Sequence, residues 1–154
     1  AFVSAIREFF DGIVCVGGGI SDGAGVAGAV AAGADLVYMG TRFLAAEESM
    51  AVDDYKDMVV SSDATDLIVS AGVTGTPASW LIPSLLANGY DLDDLTKPAT
   101  RNYGGDDVGT RWKDLWAAGQ GIQAVKGREP VAAIGDQLEA EFRSAKARLA
   151  AIGR

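Results

Sequence analysis

Val14-Cys-Val-Gly-Gly-Gly-Ile20 and Gly33-Ala-Asp-Leu-Val-Tyr-Met-Gly-Thr-Arg-Phe43 are the stretches whose reading decides the fold. Each is a short apolar run that breaks into a glycine-rich turn. Ile13–Val16 reads as a parallel strand buried on both faces, and Asp35–Met39 as a second strand. Between them Ser21 or Asp22 caps a helix of small residues that runs to about Ala32 and stops at Gly33. Strand, helix and strand make a right-handed βαβ unit. Such a unit brings Gly18, Gly19, Gly40 and Thr41 to one sheet edge, where their backbone N–H groups form a cup suited to a phosphate. The same glycines could serve only tight turns in some other α/β fold. A dinucleotide reading fails, because Gly17–Gly23 does not match G-x-G-x-x-G and no acid closes the second strand.

Composition narrows the function classes. A net charge of −8, with no basic stripe, argues against a nucleic-acid or anionic-membrane partner. No apolar run approaches the roughly 20 residues that span a bilayer. The chain contains no histidine, which excludes His-based triads, His-ligated metals and imidazole bases from these residues. The single cysteine, Cys15, reads as a small buried core residue, and the lack of a disulfide framework points to the cytoplasm. The opening Ala1-Phe-Val lacks an initiator Met and reads as mid-protein.

Outward from the glycine turns, residues 2–10 read as a helix end and 52–61 as an amphipathic helix. Leu67–Ser70 reads as a strand, and Pro77 as the start of a helix reaching Leu86. Residues 96–110 read as a loop, with Tyr103 either a lid or part of a mobile surface. A helical segment that starts with Trp112, Leu115 and Trp116 and reaches Gly119-Gln120-Gly121, and a last helix over about 130–151, complete the pattern. Trp80, Trp112 and Trp116 suit either interdomain core or a substrate cleft. The acid pairs Glu47-Glu48, Asp53-Asp54 and Asp106-Asp107 read as solvated. No metal site is expected.

Val16-Gly-Gly-Gly-Ile20, Gly33-Ala-Asp35 and Met39-Gly-Thr-Arg-Phe-Leu44 with Glu48-Ser49 resemble the nitronate monooxygenase (2-nitropropane dioxygenase-like) flavoproteins. Thr74-Gly-Thr-Pro-Ala78 and Trp116-Ala-Ala-Gly-Gln120 are similar to that family's T-G-x-P-A and W-x-x-G-Q segments, so the likeness spans about residues 13 to 121. The resemblance implies the C-terminal portion of a (β/α)8 TIM barrel with residues of a smaller α-helical domain. Residues 1–49 would be the last two βα units, 50–110 a small, mostly helical substrate-side domain, and 111–154 helices packing back on the barrel. It implies FMN as cofactor, with Gly18, Gly19, Gly40 and Thr41 on its phosphate and Tyr38 and Met39 beside them. Gln120 would lie near the flavin or the substrate cleft, or be a surface helix stop.

The implied activity is oxidation of alkyl nitronates with O2. An NAD(P)H-dependent flavin reductase of enoyl-thioester or quinone type, on the same fold, stays open, as does a non-enzymatic phosphate-binding module. The family's catalytic histidine precedes the segment equivalent to residue 1, so no catalytic residue is expected here. Whole barrels take about 250 residues, so the N-terminal part of the same protein is an expected partner. A homodimer is left open.

Overall fold

The computed structural model of the chain describes residues 2–93, 95 and 113–152. The expected loop at 96–110, with Tyr103 and Asp106-Asp107, and Trp112 lie outside the described residues.

Helix α1 (Phe2–Arg7) leads into strand β1 (Cys15–Gly17), helix α2 (Gly23–Ala31) and strand β2 (Leu36–Tyr38). β1 and β2 pair in parallel, with Cys15 opposite Leu36, Val16 opposite Val37 and Gly17 opposite Tyr38. The Asp22 side chain caps α2 by accepting the Gly25 N–H at 2.6 Å. Gly33, at φ +111°, supplies the left-handed step that ends the helix region and returns the chain to the sheet.

Arg7 secures the entry to β2. Its guanidinium donates to the carbonyls of Gly33 (2.7 Å) and Gly12 (2.6 Å) and pairs with the Asp35 carboxylate. Asp35 also accepts the Val14 N–H at 2.8 Å. That backbone bond first, and Arg7 second, hold the Asp35 carboxyl below its ordinary range.

One face of the parallel pair is uncovered. Val14, Ala27 and Ala34 are buried, whereas Ile13, Leu36 and Tyr38 are 74%, 56% and 71% exposed and Cys15 is exposed. This corrects the expectations of a strand buried on both faces and of a buried Cys15. In a strand, alternate side chains lie on opposite faces. Here Val16 and Val37 lie on the half-buried side, and no layer among the described residues lies over Cys15, Leu36 and Tyr38. The described residues hold two parallel strands and one antiparallel pair, and the barrel is not closed.

The remainder of the chain builds the core. It comprises α3 (Asp53–Ser61), β3 (Leu67–Ser70), β4 (Ala78–Leu81), α4 (Ile82–Ala87) and α5 (Val131–Ala151), with 3-10 turns at Thr41–Phe43, Ala64–Asp66 and Gln120–Ala124. β3 and β4 are antiparallel, Leu67 opposite Leu81 and Ser70 opposite Ala78. Pro77 therefore precedes a strand, not the helix expected there; α4 starts at Ile82, with Pro83 in its first turn.

The physical reason lies at Trp80 and Leu81, which are 1% and 0% exposed and enter different clusters. Trp80 packs with Val73, Leu85 and Leu115; Leu81 packs with Val59, Ile122 and Val125. An extended chain sends adjacent side chains to opposite faces, and so into the two separate cores. Ala117 bridges to Trp80, so the helical segment expected from Trp112 to Gly119-Gln120-Gly121 reduces, among the described residues, to Lys113 and Asp114 and a separate 3-10 turn that begins at Gln120.

One member of each of two acid pairs expected to be solvated makes a defined contact. Glu48 accepts the Val131 N–H at 2.9 and 3.1 Å and so caps α5. Asp53 and Asp57 pair with Arg128 at 2.8 and 2.7 Å. No helix among the described residues is long and apolar enough to cross a membrane.

α5 lies along α2, and at Gly23 the two backbones meet. A Cβ there would overlap the Leu138 carbonyl oxygen and the Phe142 backbone nitrogen. Gly23→Ala is expected to force the helices apart at about 1–3 kcal/mol, read as a lower midpoint in urea unfolding. Stability from Asp35 is fully present above its unfolded-state range and is lost as pH falls through the lowered folded value. Asp35→Asn is therefore expected to flatten the acid limb of the stability–pH curve and leave the alkaline limb unchanged.

Candidate functional site

The parallel register carries both glycine turns to the same end of the β1–β2 pair. Gly18 (φ +97°) and Gly19 (φ +70°) follow Gly17, and Met39 and Gly40 follow Tyr38. The first two glycines are accounted for by conformation, since an L side chain is strained at positive φ. Gly40 is different. Its φ is an ordinary −107°, and a Cβ there would meet no atom of the described residues within 4 Å. Neither backbone geometry nor packing among the described residues explains a glycine at this position. Among the described residues, the N–H groups of Gly19 and Gly40 donate to no protein acceptor. The turns thus offer open space and unused donors, which is what a phosphate group needs.

Two further positions define the edges of this cup. The Thr41 hydroxyl oxygen accepts the Gly119 N–H at 2.8 Å, and a Cβ on Gly119 would come within 3.2 Å of it. A Cβ on Gly121 would come within 2.7 Å of the Ser21 Cβ. Gly119-Gln120-Gly121 therefore rests on both turns at once, the second through Thr41 and the first through Ser21. Gln120, exposed at the start of its 3-10 turn, is held between them, and Ile122, fully buried two residues later, anchors the segment. Tyr38 is exposed on the uncovered sheet face, and Met39 is half-buried beside it.

Arg42 belongs to the same turn but faces elsewhere. It is 2% exposed, and its Nη2 donates to Gln137 Oε1 at 2.7 Å and Glu129 Oε2 at 3.1 Å. The positive charge next to the cup is thus balanced by a carboxylate, and the cup relies on backbone donors. Sequence reasoning assigned no site role to Ser21, Gly119, Gly121, Glu129 or Gln137. The glycines flanking Gln120 were a usable signal of close backbone approach. The partners of Arg42 lie about 90 positions away and leave no local trace.

The tryptophans divide between roles. Trp80 is core, whereas Trp116 stacks on Tyr55 with ring centroids 5.1 Å apart at 11°. Both also line a cavity of about 370 Å³ that includes Met50, Val52 and Lys113. Tyr55 donates its hydroxyl to the Ala117 carbonyl, and burial pushes its phenol pKa up, so it stays a donor. Among the described residues no group of three or more His, Cys, Asp or Glu side chains is placed to hold a metal.

A family model described as nitronate monooxygenase matches residues 3–138. A probable nitronate monooxygenase of Staphylococcus saprophyticus is 32% identical over 128 residues, covering 75% of this chain and 36% of the relative. One from Staphylococcus aureus strain JH9 is 39% identical over 76 residues, 47% of this chain and 21% of the relative. Among solved structures, FabK from Thermotoga maritima superposes with a TM-score of 0.73 at 25% identity, over 96% of this chain and 49% of that one. A nitroalkane oxidase from Streptomyces ansochromogenes gives 0.69 at 29% identity, over 96% and 44%. The chain thus spans 36% of the first relative's length and just under half of each solved chain.

The Thr41–Gly119 bond is open to a direct test. Thr41→Val keeps the side-chain volume but leaves the Gly119 N–H unpaired, an expected cost of about 1–3 kcal/mol. Thr41→Ser keeps the acceptor and is expected to restore most of it. Chemical denaturation of the two variants checks the pair.

Proposed function

This chain belongs to the nitronate monooxygenase family, and from that premise we propose that it carries the FMN-phosphate site of an oxidoreductase that oxidises alkyl nitronates with O2. The observation that carries the reading is Gly40, a glycine that neither its conformation nor packing among the described residues requires, beside N–H donors that no described residue uses. Gly18, Gly19, Gly40 and Thr41 are the residues that would hold the phosphate. Tyr38 and Met39 would lie at the strand end beside it, and Gln120 at the rim.

The chemistry FMN supplies when bound is the redox exchange between substrate and O2. This chain's contribution is to bind and orient. The two turns fix one end of the cofactor through backbone donors, which need no reorganisation on binding. Gly119–Gly121 keeps the turns together and closes one side of the cup to water. Without histidine, these residues offer no imidazole to take the substrate proton. We assign that base to the remainder of the polypeptide. The same remainder would cover the sheet face where Ile13, Leu36 and Tyr38 now stand exposed.

Gly40→Val tests the cup with little risk to the fold, since no atom of the described residues lies within 4 Å of where the new Cβ enters. In the full-length protein it is expected to weaken FMN binding at least about tenfold, measured by fluorescence titration, with an unchanged melting temperature of the apoprotein. Unaltered FMN affinity would remove the phosphate assignment. Oxygen uptake with an alkyl nitronate, and slow anaerobic bleaching by NADH, are expected of the wild type. Rapid bleaching by NADH would replace the oxidase reading with an NAD(P)H-dependent flavin reductase.

A further inference from the structure

The two helices that follow the glycine turns are tied to one face of α5 by a continuous run of side-chain hydrogen bonds. Arg42, after the second turn, donates to Gln137 Oε1 at 2.7 Å. Gln137 Nε2 donates to Glu141 Oε1 at 2.9 Å. Glu141 Oε2 accepts, at 2.8 Å, the N–H of Gly23, the first residue of α2 after the first turn. The direction of every bond is settled by chemistry. A guanidinium only donates and a carboxylate only accepts, so the residue between them needs one acceptor and one donor, as an amide has. Gln137 and Glu141 are four residues apart and share a helix face. At Gly23 the α2 and α5 backbones are in contact, so α5 cannot shift toward α2 to absorb a change.

We propose that α5 is a clamp that sets the separation of the two glycine turns, with Arg42, Gln137 and Glu141 as positioning residues for the phosphate the turns receive. The proposal rests on the FMN-phosphate reading above. It follows from how such a cup works. Donors contributed by two separate turns converge on one anion only at one spacing, and a hydrogen bond weakens steeply once its geometry is lost. The clamp fixes that spacing from behind, through Gly23 on one side and the turn of Arg42 on the other.

Riboflavin, which has the same ring system without the phosphate, separates positioning from general stability. Dissociation constants for FMN and riboflavin would be measured by fluorescence titration of the full-length protein, in the wild type and in Gln137→Met and Glu141→Gln. Gln137→Met removes both links at similar volume. Glu141→Gln is a milder break that presents an amide NH2 to the Gln137 donor and serves if the first variant does not fold. Glu139→Gln, which alters only an exposed pair with Arg143, is the control. The expected result is FMN binding weakened about tenfold in the two clamp variants, with riboflavin changed by less than about twofold and the control unchanged. Equal losses of both ligands, or no loss of FMN, would overturn the clamp. A wild type that binds riboflavin as tightly as FMN would instead overturn the phosphate-site reading on which the clamp rests.

Discussion

Parallel pairing of Cys15–Gly17 with Leu36–Tyr38, Gly17 opposite Tyr38, is the constraint on which the rest of the site depends. Antiparallel strands would send the turns that follow them to opposite ends of the sheet. Parallel strands send both to one end, and they need a crossover element to do so. Here that element is a nine-residue helix rich in Gly and Ala. A slip of one residue would interchange the faces of β2 and displace Gly40 relative to Gly19. Arg7, Asp35 and the Val14 N–H resist such a slip at the strand entry, since the carboxylate joins β1, β2 and α1 in one cluster.

The rest of the chain acts as a support for that edge. Gly119–Gly121 sits across the turns because Thr41 and Ser21 meet glycines there, and Ile122 and Val125 then plunge into the core that Leu81 and Val59 share. Behind the turns, α5 touches α2 so closely that Gly23 has no room for a side chain. The start of α5 is itself held by Glu48, five residues beyond the second turn's 3-10 helix. Segments remote in sequence thus converge on the two turns, which is the support a preorganised binding site requires. Among the described residues, the sheet face of Leu36 and Tyr38 is left uncovered, with Ile13 exposed at its start.

Much of this was legible in the residues. The βαβ unit, a helix cap at Ser21 or Asp22, the Gly33 stop, the strand at Leu67–Ser70 and the last helix all follow from local pattern, because each is decided by neighbours within a few positions. β4 was not legible. Thr76-Pro77-Ala78 reads as a helix start, and only the separate cores on either side of Trp80 and Leu81 extend the chain there. The burial of Cys15 was misread for a related reason: an apolar run announces that a strand wants two covered faces, not that both covers are present. The acids Glu48 and Asp53 looked alike in sequence, yet one caps a helix and the other holds Arg128, partners more than 70 positions distant.

By itself, then, the sequence determined the two strands, their glycine turns and the order in which they come, since φ preferences, caps and apolar runs are local properties. Only the tertiary structure decided which of the glycines face open space, that Gly119–Gly121 rests across both turns, and that Arg42 turns away from the cup toward Glu129 and Gln137. Those outcomes depend on close packing between segments about 80 to 120 positions apart, and no local pattern encodes where such segments meet.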